Sequence, residues 1–301
     1  MIRLGLCCAF RDEPIRFGTT TAAAVLRRER VERLRRIAAI ASENAAALQE
    51  AIRFCATNGI GCFRINSQIL PLRTHPTAGY SVEELPGAAA IIAAFRKCGR
   101  LAADSNVRLT FHPDQFVVLN SPRADVVSGS VAELEYQGEV AEWVGADVII
   151  IHGGGAYGDK RSALEWLGSN LGRLSPRVRS RIALENDDRV YAPADLLPLC
   201  ESSGVAFVYD VHHHRCLPDG LSETAVTERA AGTWNREPVF HISSPAGGWR
   251  AGNVRVHDDF VRVRDFPASW YGIDVTVEVE ARGKEAAVLR LKRRLKRRAA
   301  V

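Results

Sequence analysis

"IALENDD", residues 182–188, runs like a buried strand and then stops on a carboxylate, an amide and two more acids. Ile182, Ala183 and Leu184 are consecutive apolar residues, not alternating ones. That is the pattern of a strand covered on both faces, as in a parallel sheet flanked by helices. The same kind of run recurs on either side: "IRLGLC" (2–7), "GCFRI" (61–65), "VRLTF" (107–111), "DVIII" (147–151), "VAFVYD" (205–210), "PVFHI" (238–242) and "VTVEVE" (275–280). Segments of helical period separate them near 29–57, 86–103, 127–144, 160–173 and 193–202, and a last helix starts at Lys284. Gly59 supplies a stop signal after the first. The connection 243–274 is rich in glycine, proline and aromatics and holds no full helix. Eight strands with mostly helical connections predict a single-domain (β/α)8 TIM barrel over 1–301, with a doubly wound open sheet as the alternative. The basic stretch 290–301 is expected to be free to fray.

Composition narrows the class. The 301 residues are 47% hydrophobic and 25% charged, which suits one large globular domain. No window holds ~18 uncharged apolar residues, so no membrane span is expected. The start, "MIRLGLCCAF", reaches Arg11 and Asp12 too early for a secretory leader. Seven scattered cysteines without a CxxC pair point to free thiols in a reducing, cytoplasmic compartment. Cys7 and Cys8 are expected in the core. The net charge of +5 is concentrated in "LRRERVERLRR" (26–36) and "RLKRRLKRR" (290–298). Such a balance permits nucleic-acid binding without showing it, and two solvated helix faces account for it equally well.

In parallel α/β folds, chemistry gathers at the C-terminal ends of the strands. His75 lies in the loop after the second run, and His112 and His152 close the third and fourth. Glu185 closes the fifth, and Asp210 closes the sixth ahead of His212, His213 and His214. His241 lies on the seventh, His257 in the loop beyond it, and Glu278 and Glu280 on the eighth. All eight histidines of the chain belong to this set. One histidine at a strand end is usually a hydrogen-bonded core residue. A convergent ring of imidazoles and carboxylates is costly to bury without compensation. Divalent ions bind both ligand types together. The donors exceed what one tetrahedral zinc needs, so about two or three bridged ions fit, Mn²⁺ first, with Zn²⁺ or Mg²⁺ as alternatives. Glu185 is expected to bridge them, with Asn186 and Asp187 supporting it. Asp187 and Asp188 also suit the acidic start of a helix. Asp210 and His213 are expected as ligands, with His212 and His214 behind them, and Glu278 and Glu280 share one face of their strand.

Taken in order, "RLGLCC", "FRINS", "FHPDQFVVLNSP", "IHGGG", "LENDD", "DVHHH", "HISSP" and "VEVEARGKE" resemble the UV-damage endonuclease family from residue 2 to about 290. The resemblance implies a TIM barrel with a multi-metal site that cuts the phosphodiester bond 5′ to UV photoproducts and leaves a 3′-hydroxyl. Carried over by motif, it implies His75, His112, His152, Glu185, Asp210, His213, His241, His257 and Glu280 as metal ligands. Glu185, His241 and Glu280 would carry the chemistry. Gln115 and Phe116 would form the wedge that probes the duplex. Lys160 and Arg161, with Lys284, are expected to grip phosphates. The expected partner is damaged double-stranded DNA, with no membrane and no nucleotide cofactor, and the expected state is a monomer.

The chain departs from the family pattern in places. Val239 stands where many members carry a lysine that can be modified at the metal site. Leu6 and Phe116 stand where many carry tyrosine. The acid–Met–Glu pattern of the last strand reads Thr276, Glu278, Glu280. Three rival readings follow from the same residues: a sugar isomerase or epimerase, whose barrels use similar donors, a lesion-binding relative without catalysis, and a nuclease of abasic sites.

Overall fold

The apolar runs become eight strands in a computed structural model that describes residues 1–299: β1 (Ile2–Cys7), β2 (Cys62–Ile65), β3 (Arg108–Phe111), β4 (Val148–His152), β5 (Ile182–Glu185), β6 (Ala206–Asp210), β7 (Val239–Ile242) and β8 (Val275–Val279). Each pairs in parallel with the next. β8 returns to β1 over Ile2↔Val275 to Leu6↔Val279. The sheet is therefore a closed TIM barrel with no edge, not an open sheet.

Helices cover it where the periodicity predicts them: Arg30–Asn58, Ala88–Asp104, Ala124–Val144, Lys160–Leu171, Pro193–Ser203 and Lys284–Ala299. The basic end expected to fray is thus helical through Ala299, and residues 300 and 301 lie outside the described ones. Gly59 closes the first long helix at φ 60°, a left-handed turn that glycine adopts without strain. One full helix is not foreshadowed by the pattern. Glu223–Gly232 fills the β6–β7 connection behind Ser222, whose hydroxyl accepts the Ala225 N–H. It buries only Val226, Thr227 and Ala230, a stripe too narrow for apolar periodicity to reveal. Three shorter helices, Ala22–Leu26, Pro176–Arg179 and Val211–Cys216, also go beyond the pattern.

The long β7–β8 connection has only two 3₁₀ turns, Val263–Asp265 and Ala268–Trp270. It is held by polar contacts instead. The buried Asp265 carboxylate accepts from the Ser244 hydroxyl at 2.5 Å and from the Trp249 indole N–H at 3.0 Å. A bridge between Pro245 and His257 folds the loop back over the barrel mouth.

Side chains alternate in and out along each strand. Within β4–β7, Val148, Ile150, Ala183, Ala206, Val208 and Val239 form one apolar cluster and share a face with His152, Glu185, Asp210 and His241. The other half of the interior is polar. Arg108 pairs with Asp147 at 2.8 and 3.0 Å and donates to Thr276 Oγ1 at 3.1 Å. Arg64 and Glu278 lie one layer above. So an apolar floor supports one side of the mouth and a charged column supports the other.

The mouth loops are pinned from outside by Asn44, which is fully buried on the Arg30–Asn58 helix. Its amide accepts the Gly18 N–H at 2.6 Å and donates to Gly18 O at 3.0 Å and Ile69 O at 2.8 Å. Asn44→Ala leaves buried backbone groups of two loops without partners. We expect a loss of about 3 kcal/mol in urea unfolding, against less than about 0.5 kcal/mol for an exposed alanine substitution such as Glu43→Ala.

Candidate metal centre

The parallel register brings the strand ends together. His152 lies beside Glu185, Asp210 beside His241, and His241 beside Glu278. Glu185 is wholly buried and is the hub. Its Oε2 lies 2.7 Å from His112 Nε2 and 3.9 Å from His152 Nδ1. Its Oε1 lies 3.0 Å from His241 Nδ1 and 3.3 Å from His213 Nδ1. Glu280, one residue past β8, reaches His241 Nδ1 at 3.5 Å, Arg64 at 2.5 Å and His257 Nδ1 at 3.9 Å. Asp210 caps the Val211–Cys216 helix through the His213 N–H at 2.8 Å and keeps its Oδ2 at 3.6 Å from His213 Nδ1.

These donors fit divalent cations. Three sets each bring their ligand atoms within 4.8 Å: His112, His152 and Glu185; His112, His241 and Glu280; and Glu185, Asp210 and His213. His112 and Glu185 each belong to two sets; the two oxygens of Glu185 could serve neighbouring ions, whereas the one free nitrogen of His112 would serve a single ion. His152 Nδ1 and Asp210 Oδ2 are buried with no hydrogen-bond partner, a costly state that a cation would relieve. His112 is also prepared for ligation. Its Nδ1 lies 3.0 Å from the Pro113 carbonyl, which only accepts, and its Nε2 shares a proton with Glu185 at 2.7 Å, which a cation would displace to use that lone pair.

Not every expected ligand joins the cluster. His75 belongs to none of the three sets. Its Nδ1 accepts the Thr77 and Ala78 N–H groups, both at 3.2 Å, so a neutral ring carries its proton on Nε2 and offers a donor there. His257 belongs to none of the sets either; its nearest carboxylate is Glu280, at 3.9 Å from Nδ1. His214 is structural, held between Tyr209 Oη at 2.8 Å and Asp219 at 2.9 Å. His212 is buried against Trp249 and His257. Asn186 supports Asp210 instead of Glu185, with its amide bridging the Asp210 N–H and carbonyl at 2.9 Å each. Asp187 accepts three N–H groups of residues 189–191 and organises its own loop. Arg64 is a site residue that reading the strand ends misses. Its signal is a single charge inside the apolar run "GCFRI", one residue short of the strand end.

The departures from the family pattern find distinct surroundings. Val239 belongs to the apolar floor, and Leu6 is buried in the main core. Cys7 is a buried thiol whose Sγ lies 2.7 Å from Arg64; Cys8 is half-buried.

Beside the cluster opens a cleft of about 770 Å³ that includes His152, His213, Gln115, Phe116, Tyr157 and Arg189. Phe116 is 76% exposed at the rim of this cleft. Lys160 is engaged with Asp195 at 2.7 Å and with the Tyr191 ring, and Arg161, whose side chain is 88% exposed, pairs with Glu165 at 3.2 Å.

Burial alone would raise the pKa of Glu185, but His241, His152 and the other imidazoles outweigh it and hold the carboxyl well below the usual range. The Glu185 charge in turn raises His241 to about 10 against the effect of burial. Asp210 and Glu185 likewise raise His213. His152 shifts down, chiefly through burial.

Residues 2–301 match the family described as UV-endonuclease UvdE. A "UV-damage endonuclease" of Neurospora crassa is 36% identical over 79% of this chain, which spans only 38% of that protein's length. A "UV DNA damage endonuclease" of Deinococcus radiodurans is 32% identical over 96% of this chain and 94% of its own. The crystal structure of SacUVDE superposes with TM-score 0.87 at 25% identity, covering 100% of both chains. A D-psicose 3-epimerase superposes at TM-score 0.53 with 15% identity over 77% of this chain and 78% of its own, a likeness of fold alone.

The raised His241 value carries a pH consequence. In metal-free protein its ion pairing stabilises the fold below the ordinary histidine pKa and is lost as pH rises through about 10. A divalent cation competes with that same proton, so its affinity should climb over the same interval with proton release. Mn²⁺ calorimetry in buffers of different ionisation enthalpy, from about pH 6 to about pH 9, checks both the trend and the protons released.

Proposed function

The chain belongs to the UV-endonuclease UvdE family, and from that membership we propose a metal-dependent DNA-repair endonuclease that nicks damaged duplex DNA 5′ to UV photoproducts. The observation that carries this reading is the buried carboxylate of Glu185 facing four imidazoles beside a cleft with an exposed phenyl ring. His112, His152, Glu185, Asp210, His213, His241 and Glu280 would hold about two or three divalent ions, with manganese the first choice for a mixed nitrogen and oxygen donor set. His75 and His257 would join only by giving up the contacts their rings now make. Such ions supply Lewis-acid polarisation of the phosphate and an activated water.

The protein's own groups do the rest. Glu185, His241 and Glu280 set where the scissile phosphate lies relative to the attacking water. Arg64 keeps the carboxylate of Glu280 charged against its burial. Gln115 and Phe116 wedge into the duplex at the damaged step, which unstacks more cheaply than intact DNA. Arg161 and, once released from Asp195, Lys160 hold backbone phosphates. We further take the protein as a cytoplasmic monomer. Its seven free cysteines suit a reducing compartment. Among the described residues no helix is long and apolar enough to cross a membrane.

Two variants separate chemistry from lesion probing. With UV-irradiated supercoiled plasmid, Glu185→Gln should lower Mn²⁺-dependent nicking on the order of 10³-fold. Nicking at the parent rate would end the proposal. Phe116→Ala should retain Mn²⁺ affinity and lose about tenfold in preference for irradiated over intact duplex, the worth of one stacked base. An unchanged preference would remove Phe116 from lesion recognition.

A further inference from the structure

Glu278 lies outside the proposed ligand set, yet it is one of the most enclosed charges in the chain, with no solvent exposure. The barrel register places it between Gly5 of β1 and His241 of β7. Its Oε2 lies 2.9 Å from Arg64 Nε and 3.0 Å from His241 Nε2. Its Oε1 accepts the Thr110 hydroxyl and lies 3.8 Å from Cys62 Sγ. Space is provided for it as well. A Cβ on residue 5 would come within 3.2 Å of both Glu278 Cγ and Cys62 Cβ, so the glycine there makes room for the carboxylate.

We infer that Glu278 is a positioning residue: it holds the His241 ring with Nε2 toward itself and Nδ1 toward Glu185 and Glu280, and it anchors Arg64 between itself and Glu280. The inference rests on reading the cluster as a metal centre. A neutral imidazole carries one proton. Without a cation His241 Nδ1 is hydrogen-bonded to Glu185, and the 3.0 Å Nε2–Glu278 approach lacks hydrogen-bond alignment; a cation at Nδ1 would take that lone pair and leave the proton on Nε2, where ionised Glu278 is the acceptor. His241 Nδ1 is the nitrogen that faces Glu185 at 3.0 Å and Glu280 at 3.5 Å. Arg64 is shared between Glu278 and Glu280. Without Glu278 its whole charge would fall on Glu280 and draw that carboxylate away from the cluster. The apolar residues of the floor could not do this work, and Val239, the inward neighbour of His241 on its own strand, has no polar atom to offer.

The test compares wild type, Glu278→Gln and Gly5→Ala. Glu278→Gln keeps the side-chain volume but presents a neutral amide where two donors converge. Gly5→Ala keeps the charge and crowds it by a methyl group, so it reads the same effect if the first variant fails to fold. Mn²⁺ affinity by calorimetry should fall about 10–100-fold for Glu278→Gln and about threefold for Gly5→Ala. In Zn²⁺-loaded wild type, ¹⁵N spectra of the histidines should show His241 protonated on Nε2 and ligated through Nδ1, and Glu278→Gln should lose this single form. A folded Glu278→Gln protein with wild-type Mn²⁺ affinity and an unchanged His241 spectrum overturns the inference and leaves the metal centre standing. Failure of wild type to bind Mn²⁺ or Zn²⁺ overturns both.

Discussion

A carboxylate with no access to water, facing four imidazoles, is the constraint on which the mouth of this barrel depends. Burying an ionised carboxylate costs several kcal/mol unless its lone pairs are all engaged. Glu185 meets that requirement by taking neighbours from β4, β7, the residue after β3 and the start of the helix after β6. None of these contacts is local in sequence. Each exists only because the barrel closes and its register sets His152 beside Glu185. Closure of the sheet and assembly of the site are thus one event, and anything that slips the register of β4 on β5 dismantles the centre.

The interior divides along the barrel axis in a way that serves this hub. Small and branched residues of β4–β7 pack into a floor with no polar side-chain atoms, so the floor offers the imidazoles above nothing that competes with Glu185. On the opposite side Arg64, Glu278 and Glu280 form a charged wall. Burial works against ionisation of Glu278, yet Arg64 and His241 hold it near 2, so the wall keeps its charge at neutral pH. Val239 belongs to the floor side of this division. The acidic and basic groups of the wall are gathered on β2 and β8 instead of on β7.

Much of this is legible in the sequence because the strands are short and nearly all apolar until their last residue. A break from Leu184 to Glu185, or from Ile151 to His152, marks both a strand end and a candidate functional position. The barrel and the ends that carry candidate ligands follow from that. What the sequence does not display is which donors meet. Glu278 reaches His241 on the neighbouring strand and Arg64 on the strand beyond β1, and neither contact has a sequence separation that pattern could suggest. His75 falls in the loop after a strand, as a ligand would, yet its ring is committed to its own turn through Nδ1. Asp187 reads as support for Glu185 but caps three N–H groups of its loop, a local contact that wins over a distant one. The Glu223–Gly232 helix is hidden for the opposite reason: packing of three small residues suffices to dock it, so it leaves little periodic trace.

The central claim is that this centre hydrolyses DNA at a lesion, and one measurement addresses it most directly. A 5′-labelled duplex carrying one defined pyrimidine photoproduct is incubated with the protein and Mn²⁺, beside intact and abasic duplexes and a chelated control. The account predicts a single Mn²⁺-dependent cut immediately 5′ to the photoproduct, ending in a 3′-hydroxyl, and none in the intact duplex. Cutting at the abasic site alone would contradict the assigned lesion, and no cutting with any divalent ion would contradict the assignment of the buried cluster as a hydrolytic centre.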